Sequence, residues 1–105
     1  MRSMVDAVGL PAVLEQGAEE CAELAHAVLK LSRIVRNENP TPSRKGDVIR
    51  AVIEEYADLE VVMGELRRCG LIRMEDVYRV MTEKTKRWED RLNVGQGQRE
   101  RDRLD

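Results

Sequence analysis

Aromatic side chains are nearly missing from this chain, and that limits the core it can build. Its 105 residues include Tyr56, Tyr78 and Trp88 but no phenylalanine. Sandwiches and barrels of this size draw on aromatic and β-branched side chains, so an all-β fold is disfavoured. The abundant Ala, Leu, Glu and Arg are strong helix formers. With 42% hydrophobic and 36% charged residues, the composition is that of a folded domain, neither disordered nor membrane-embedded. The length leaves room for one domain. Its core is modest, and association between copies is the natural way to bury more surface.

Hydrophobic periodicity places three main helices. After the break at Gly9-Leu10-Pro11, apolar residues recur at steps of three and four through Leu14, Ala18, Cys21, Ala22, Ala25, Val28, Leu29 and Leu31, giving a helix to about Arg36. Asn37 to Ser43, with Pro40 and Pro42, is a loop by its turn chemistry. Gly46-Asp47 is the expected cap of a second helix carrying Val48, Ile49, Val52, Ile53, Leu59, Val62, Met63 and Leu66, which ends at Gly70. A third helical pattern covers Arg73 to Asn93, with Met74, Val77, Tyr78, Met81, Trp88 and Leu92, and Asn93 and Gly95 are read as its stop. A short helix from Ser3 is possible before Gly9. The expected organisation is all-α: an antiparallel bundle of three main helices over residues 1–93, completed as a four-helix-type core by oligomerisation. Residues 94–105 lack an apolar stripe and are expected to form a disordered tail.

Charge and cysteine usage exclude several classes of function. Eighteen basic and twenty acidic residues leave a net charge of −2, which disfavours a generic nucleic-acid or membrane-surface binder. No uncharged run exceeds Ala7 to Leu14, far short of the roughly 20 residues of a membrane helix. Asp6 interrupts any signal-peptide core, so a cytoplasmic location is expected. Cys21 and Cys69 form no CxxC pair and are expected to be reduced, small, partly buried residues.

The acidic residues follow a pattern of their own. Glu19-Glu20-Cys21-Ala22-Glu23 lies on the first main helix and Glu54-Glu55-Tyr56-Ala57-Asp58 on the second. Glu20 with Glu23, and Glu55 with Asp58, are three residues apart, hence on one helix face and about 4.5 Å apart along the axis. If the helices run antiparallel, the pairs can face each other. Four converging carboxylates repel unless a cation intervenes, and Mg²⁺ takes oxygen ligands together with substrate phosphates. The plain alternative is a solvated acidic face. Against it, Glu23 precedes Leu24 and Asp58 precedes Leu59, so the acids border the apolar seam. On the third helix Lys84, Arg87 and Arg91 share a face suited to phosphate, or form an ordinary basic surface with pairs such as Glu83–Arg87.

Together these segments resemble the MazG-like, all-α nucleoside triphosphate pyrophosphohydrolases, particularly small stand-alone, phage-type members. Gln16, Glu19-Glu20-x-x-Glu23, Glu55-x-x-Asp58 and Lys84-Thr85-Lys86-Arg87-Trp88 with Arg91 and Leu92 carry the likeness over about residues 12 to 92. The resemblance implies hydrolysis of an NTP or dNTP between the α- and β-phosphates to a nucleoside monophosphate and pyrophosphate. It implies Mg²⁺, with Mn²⁺ as a substitute, held by Glu20, Glu23, Glu55 and Asp58. Glu19 then positions the attacking water, with Glu20 also counted as catalytic, and Lys84, Arg87 and Arg91 neutralise the triphosphate. A homodimer or homotetramer is implied, with no nucleic-acid or membrane partner.

Two other readings stay open. Glu23-x-x-His26 is a step used in di-iron bundles, but with one histidine only a symmetric dimer supplies the second. The chain also suits a non-catalytic helical interaction protein with a degenerate or regulatory nucleotide or metal site.

Overall fold

A computed structural model describes residues 3–38 and 44–104, so Asn39 to Ser43 of the expected loop lie outside the described residues. Among these there are four helices and no strand: α1 (Met4–Val8), α2 (Leu10–Val35), α3 (Lys45–Arg68) and α4 (Met74–Leu104). They fall into two compact units, Met1–Leu71 with α1 to α3, and Ile72–Asp105 with α4. No helix is long and apolar enough to cross a membrane among the described residues.

Caps set the boundaries. The Ser3 hydroxyl accepts the Asp6 N–H at 3.0 Å and starts α1. Gly9, at φ 87° and ψ 153°, then turns the chain into α2 through a conformation essentially reserved for glycine. Pro11 sits in the first turn of α2, where no helical hydrogen bond is lost. The ends of α2 and α3 share one device. Beyond α2 the N–H groups of Asn37 and Glu38 donate to Ile34 and Arg33; beyond α3 those of Gly70 and Leu71 donate to Arg67 and Leu66. Both are Schellman closures, which require a left-handed residue: Asn37 at φ 59° and Gly70 at φ 83°. The start of α3 differs from expectation. Arg44 is its N-cap without a side-chain bond, so Gly46 and Asp47 lie within the first turn and Asp47 supplies negative charge there, pairing with Arg50 at 3.9 Å.

Helices α2 and α3 pack antiparallel. Gly17 faces Val62, Glu23 faces Glu55, and Ala27 and Ala51 line one groove, so positions descend along α3 as they rise along α2. The less exposed positions of α2 include Val13, Gly17, Glu20, Leu24, Ala27, Leu31 and Ile34; those of α3 include Val48, Val52, Glu55, Leu59, Val62 and Leu66. Both sets alternate steps of three and four, the spacing of a helix-helix seam. Val13 is fully buried, and Ala27, Val48, Val62 and Leu66 complete the buried apolar set among the described residues.

This seam is not the stripe the periodicity favours. Leu14, Ala18, Cys21, Ala22, Ala25, Val28 and Leu29 are exposed, and only Leu31 of that series is half-buried. Two apolar stripes interleave on α2, and the hairpin uses the one headed by Val13. Cys21 and Cys69 are free and exposed rather than partly buried; Cys69 is the C-cap of α3, its thiol donating to the Leu66 carbonyl at 3.4 Å.

In the second unit the third expected helix runs longer than its pattern predicts. Instead of stopping at Asn93, α4 continues through Gly95 and Gly97 to Leu104. A glycine ends a helix when it takes a left-handed conformation, as Gly70 does; Gly95 and Gly97 have no positive φ and only weaken the helix, by about 1 kcal/mol each relative to Ala. Gln96 and Gln98 donate to Glu100 and Asp102 at i+4, and Arg101 donates to Gln98.

Two glycines, one within α3 and one just past its end, should respond oppositely to alanine. A Cβ at Gly64 meets only the flexible Arg67 guanidinium at 3.4 Å, so Gly64→Ala should stabilise the chain by up to about 1 kcal/mol. Gly70→Ala places a Cβ at positive φ and should destabilise by about 1 kcal/mol. Urea denaturation of the two variants and the parent chain measures both.

Candidate metal centre

Three carboxylates meet on the α2–α3 seam. One oxygen from each of Glu20, Glu23 and Glu55 lies within 4.8 Å of the other two. Their positions follow from the seam register: Glu20 and Glu55 occupy half-buried steps where apolar residues would continue the pattern, and Glu23, one turn beyond Glu20, is exposed.

The oxygens within the seam are short of partners. Glu20 Oε1 accepts a hydrogen bond from Gln16 Nε2 at 2.7 Å. Glu20 Oε2 and Glu55 Oε2 are shielded from water and receive no hydrogen bond. A shielded carboxylate oxygen without a donor is costly, and two of them beside a third carboxylate add repulsion. The Glu55 carboxyl accordingly titrates above the ordinary glutamate range. Its largest cause is loss of water on the packed face, followed by the hydrogen bond that a protonated Glu55 makes to Glu23 and by the negative charges of Glu23, Asp58 and Glu20. An all-oxygen donor set with unmet oxygens fits a hard divalent cation such as Mg²⁺.

The remaining expected residues are placed as follows. Asp58 is exposed and outside the close set, although its charge reaches Glu55; its side chain is one methylene shorter than glutamate. Glu19 is exposed and also outside the set. Lys84, Arg87 and Arg91 do share a face of α4, lining with Trp88 a concavity of about 120 Å³. The Arg91 guanidinium stands 5.7 Å from the Trp88 ring centroid, a cation–π contact. No histidine joins the carboxylate set among the described residues.

Two residues outside the expected site, His26 and Lys30, lie close to the cluster. Both line a groove of about 450 Å³ beside the carboxylates, with Ala22, Glu23, Ala27, Ala51 and Glu55. The signal was spacing: His26 and Lys30 follow Glu23 at i+3 and i+7, on one helix face.

The raised Glu55 titration has a definite sign. The folded chain holds this proton more tightly than the unfolded chain, so the contribution to stability is full below the ordinary glutamate pKa and is lost as pH rises through the folded value. Without divalent cation, Glu55→Gln should therefore be more stable than the parent chain at neutral pH, with the gap shrinking on acidification. Paired denaturation curves from pH 4 to pH 8 in chelator measure this.

Comparison with known proteins gives no neighbour: no family model, no curated protein and no solved structure matches the chain. The chemistry of the site is read from its own oxygens.

Proposed function

We propose that this chain is a Mg²⁺-dependent hydrolase that converts a nucleoside or deoxynucleoside triphosphate to the monophosphate and pyrophosphate. One observation carries the reading. Two glutamates from separate helices occupy positions of the packed seam, each with a shielded oxygen that no hydrogen bond satisfies, and Glu23 joins them at the solvent edge. Such a pair adds nothing to an apolar seam and suits a cation-binding one.

Glu20, Glu23 and Glu55 are the residues to hold the metal, and Asp58 adds negative charge to the same region. When bound, Mg²⁺ supplies Lewis-acid stabilisation of phosphate oxygens and lowers the pKa of water. Gln16 fixes the orientation of Glu20 through its hydrogen bond. Glu19, beside Glu20 in the chain, is the carboxylate proposed to orient the attacking water. The cationic face of Lys84, Arg87 and Arg91 suits the same ligand chemistry, an anionic phosphate chain. The MazG-like resemblance supplies the reaction type; the carboxylate cluster supports the metal.

Homo-oligomerisation belongs to the same reading. The second stripe of α2 leaves Leu14, Val28 and Val35 exposed, and α3 exposes Ile49, Ile53, Tyr56 and Val61. Apolar surface of this extent on so small a unit suits burial against another copy, as a homodimer or homotetramer. The same surfaces favour, as a second reading, a non-catalytic interaction module.

Pyrophosphate release from a panel of (d)NTPs with Mg²⁺ separates the two. The hydrolase reading expects turnover, with Glu20→Gln and Glu55→Gln each lowering kcat/KM by roughly 100-fold or more. Turnover that survives either substitution shows that the metal has been misplaced, and no turnover with no Mg²⁺-dependent nucleotide binding leaves the interaction module. Light scattering should give at least twice the 12.0 kDa chain mass, with Ile53→Glu shifting the population towards monomer.

A further inference from the structure

The groove beside the carboxylates has two chemically different ends. At one lie Glu23 and Glu55; at the other, along the same face of α2, lie His26 and Lys30. From Glu23 the helix rises about 4.5 Å to His26 and a further 6 Å or so to Lys30. Ala22, Ala27 and Ala51 also line the trough, and their small side chains leave open what Leu or Val would fill. Among the described residues Lys30 makes no ion pair and His26 no hydrogen bond, although Glu23 precedes His26 on this face by one turn. Two unengaged N–H donors in a concavity, one of them a fixed cation, next to a cluster of carboxylates suited to a divalent cation, complement a ligand that binds metal at one end and carries anionic charge beyond it.

We infer that His26 and Lys30 hold the terminal phosphates of the triphosphate, and hence the pyrophosphate product, while the nucleoside lies on the opposite side of the carboxylates. This inference rests on the hydrolase reading and adds the direction in which the substrate lies along α2. Lys30 supplies charge and up to three donors; His26 supplies one ring N–H in either neutral tautomer. Both are phosphate-binding residues here and take no part in bond cleavage.

Calorimetric titration of the full-length chain in Mg²⁺ tests this, with inorganic pyrophosphate and the four deoxynucleoside monophosphates as probes and Mg²⁺ alone as a further titrant. Lys30→Ala should weaken pyrophosphate binding about tenfold, Lys30→Arg should restore most of it, and His26→Ala should weaken it several-fold. Affinity for Mg²⁺ and for the monophosphates should stay at the parent level in all three. Both side chains are exposed, and circular dichroism confirms that each variant keeps its helices. Unchanged pyrophosphate affinity in Lys30→Ala and His26→Ala, with a parent chain that binds it, overturns this inference and leaves the hydrolase reading standing. Loss of monophosphate binding instead reverses the proposed direction and overturns it too. Loss of Mg²⁺ affinity in His26→Ala places the ring on the metal and also overturns it. A parent chain that binds neither Mg²⁺ nor pyrophosphate sinks the hydrolase reading together with the inference.

Discussion

Two carboxylates at packed positions of a two-helix seam are the constraint around which the first unit is arranged. Glu20 on α2 and Glu55 on α3 fall in the same three-four alternation as Val13, Leu24, Val62 and Leu66. An apolar pair at these steps would extend the core. The glutamates instead remove core where the chain has little to spare, and their shielded oxygens raise the cost further. The hairpin accommodates them at the middle of the seam, with apolar contacts at both ends: Val13, Val62 and Leu66 at one, Ala27 and Val48 at the other.

Small side chains make that arrangement possible. Gly17 lets Val62 come within van der Waals distance of the α2 backbone, so close that a Cβ there would lie 3.4 Å from Val62 Cγ1. Close approach brings the acidic side chains of both helices within reach of one another. The cost is a thin core, which leaves the second stripe of α2 and the Ile49–Ile53–Tyr56 face of α3 in water.

Much of this was legible from residue types with strong local preferences. Gly9 and Pro11 marked the start of α2, Gly70 the end of α3, and the spacing of Glu20, Glu23 and Glu55 placed carboxylates on facing sides. What escaped notice depended on register. Two apolar stripes on α2 have nearly equal claims, and only packing against α3 selects the one through Val13 and Gly17. Asp58 shares a face with Glu55 and its charge reaches Glu55, yet it lies outside the close set. Lys30 carries no motif; it lines the groove that antiparallel pairing forms between Ala27 and Ala51. Asn93 and Gly95 read as a stop because composition does not reveal the sign of φ.

The hydrogen bond from Gln16 to Glu20 has a consequence for what the site can exchange. An amide donor holds a carboxylate in place yet brings no charge, so the negative charge of the cluster is left whole. A lysine or arginine at this position, one turn before Glu20, would orient the same oxygen and neutralise it, turning the cluster into a permanent internal ion pair. By using glutamine, the chain separates orientation from neutralisation. On the proposed metal-binding reading, the protein sets the geometry in advance and leaves the counter-charge to an exchangeable cation, with exposed Glu23 at the solvent edge of the cluster.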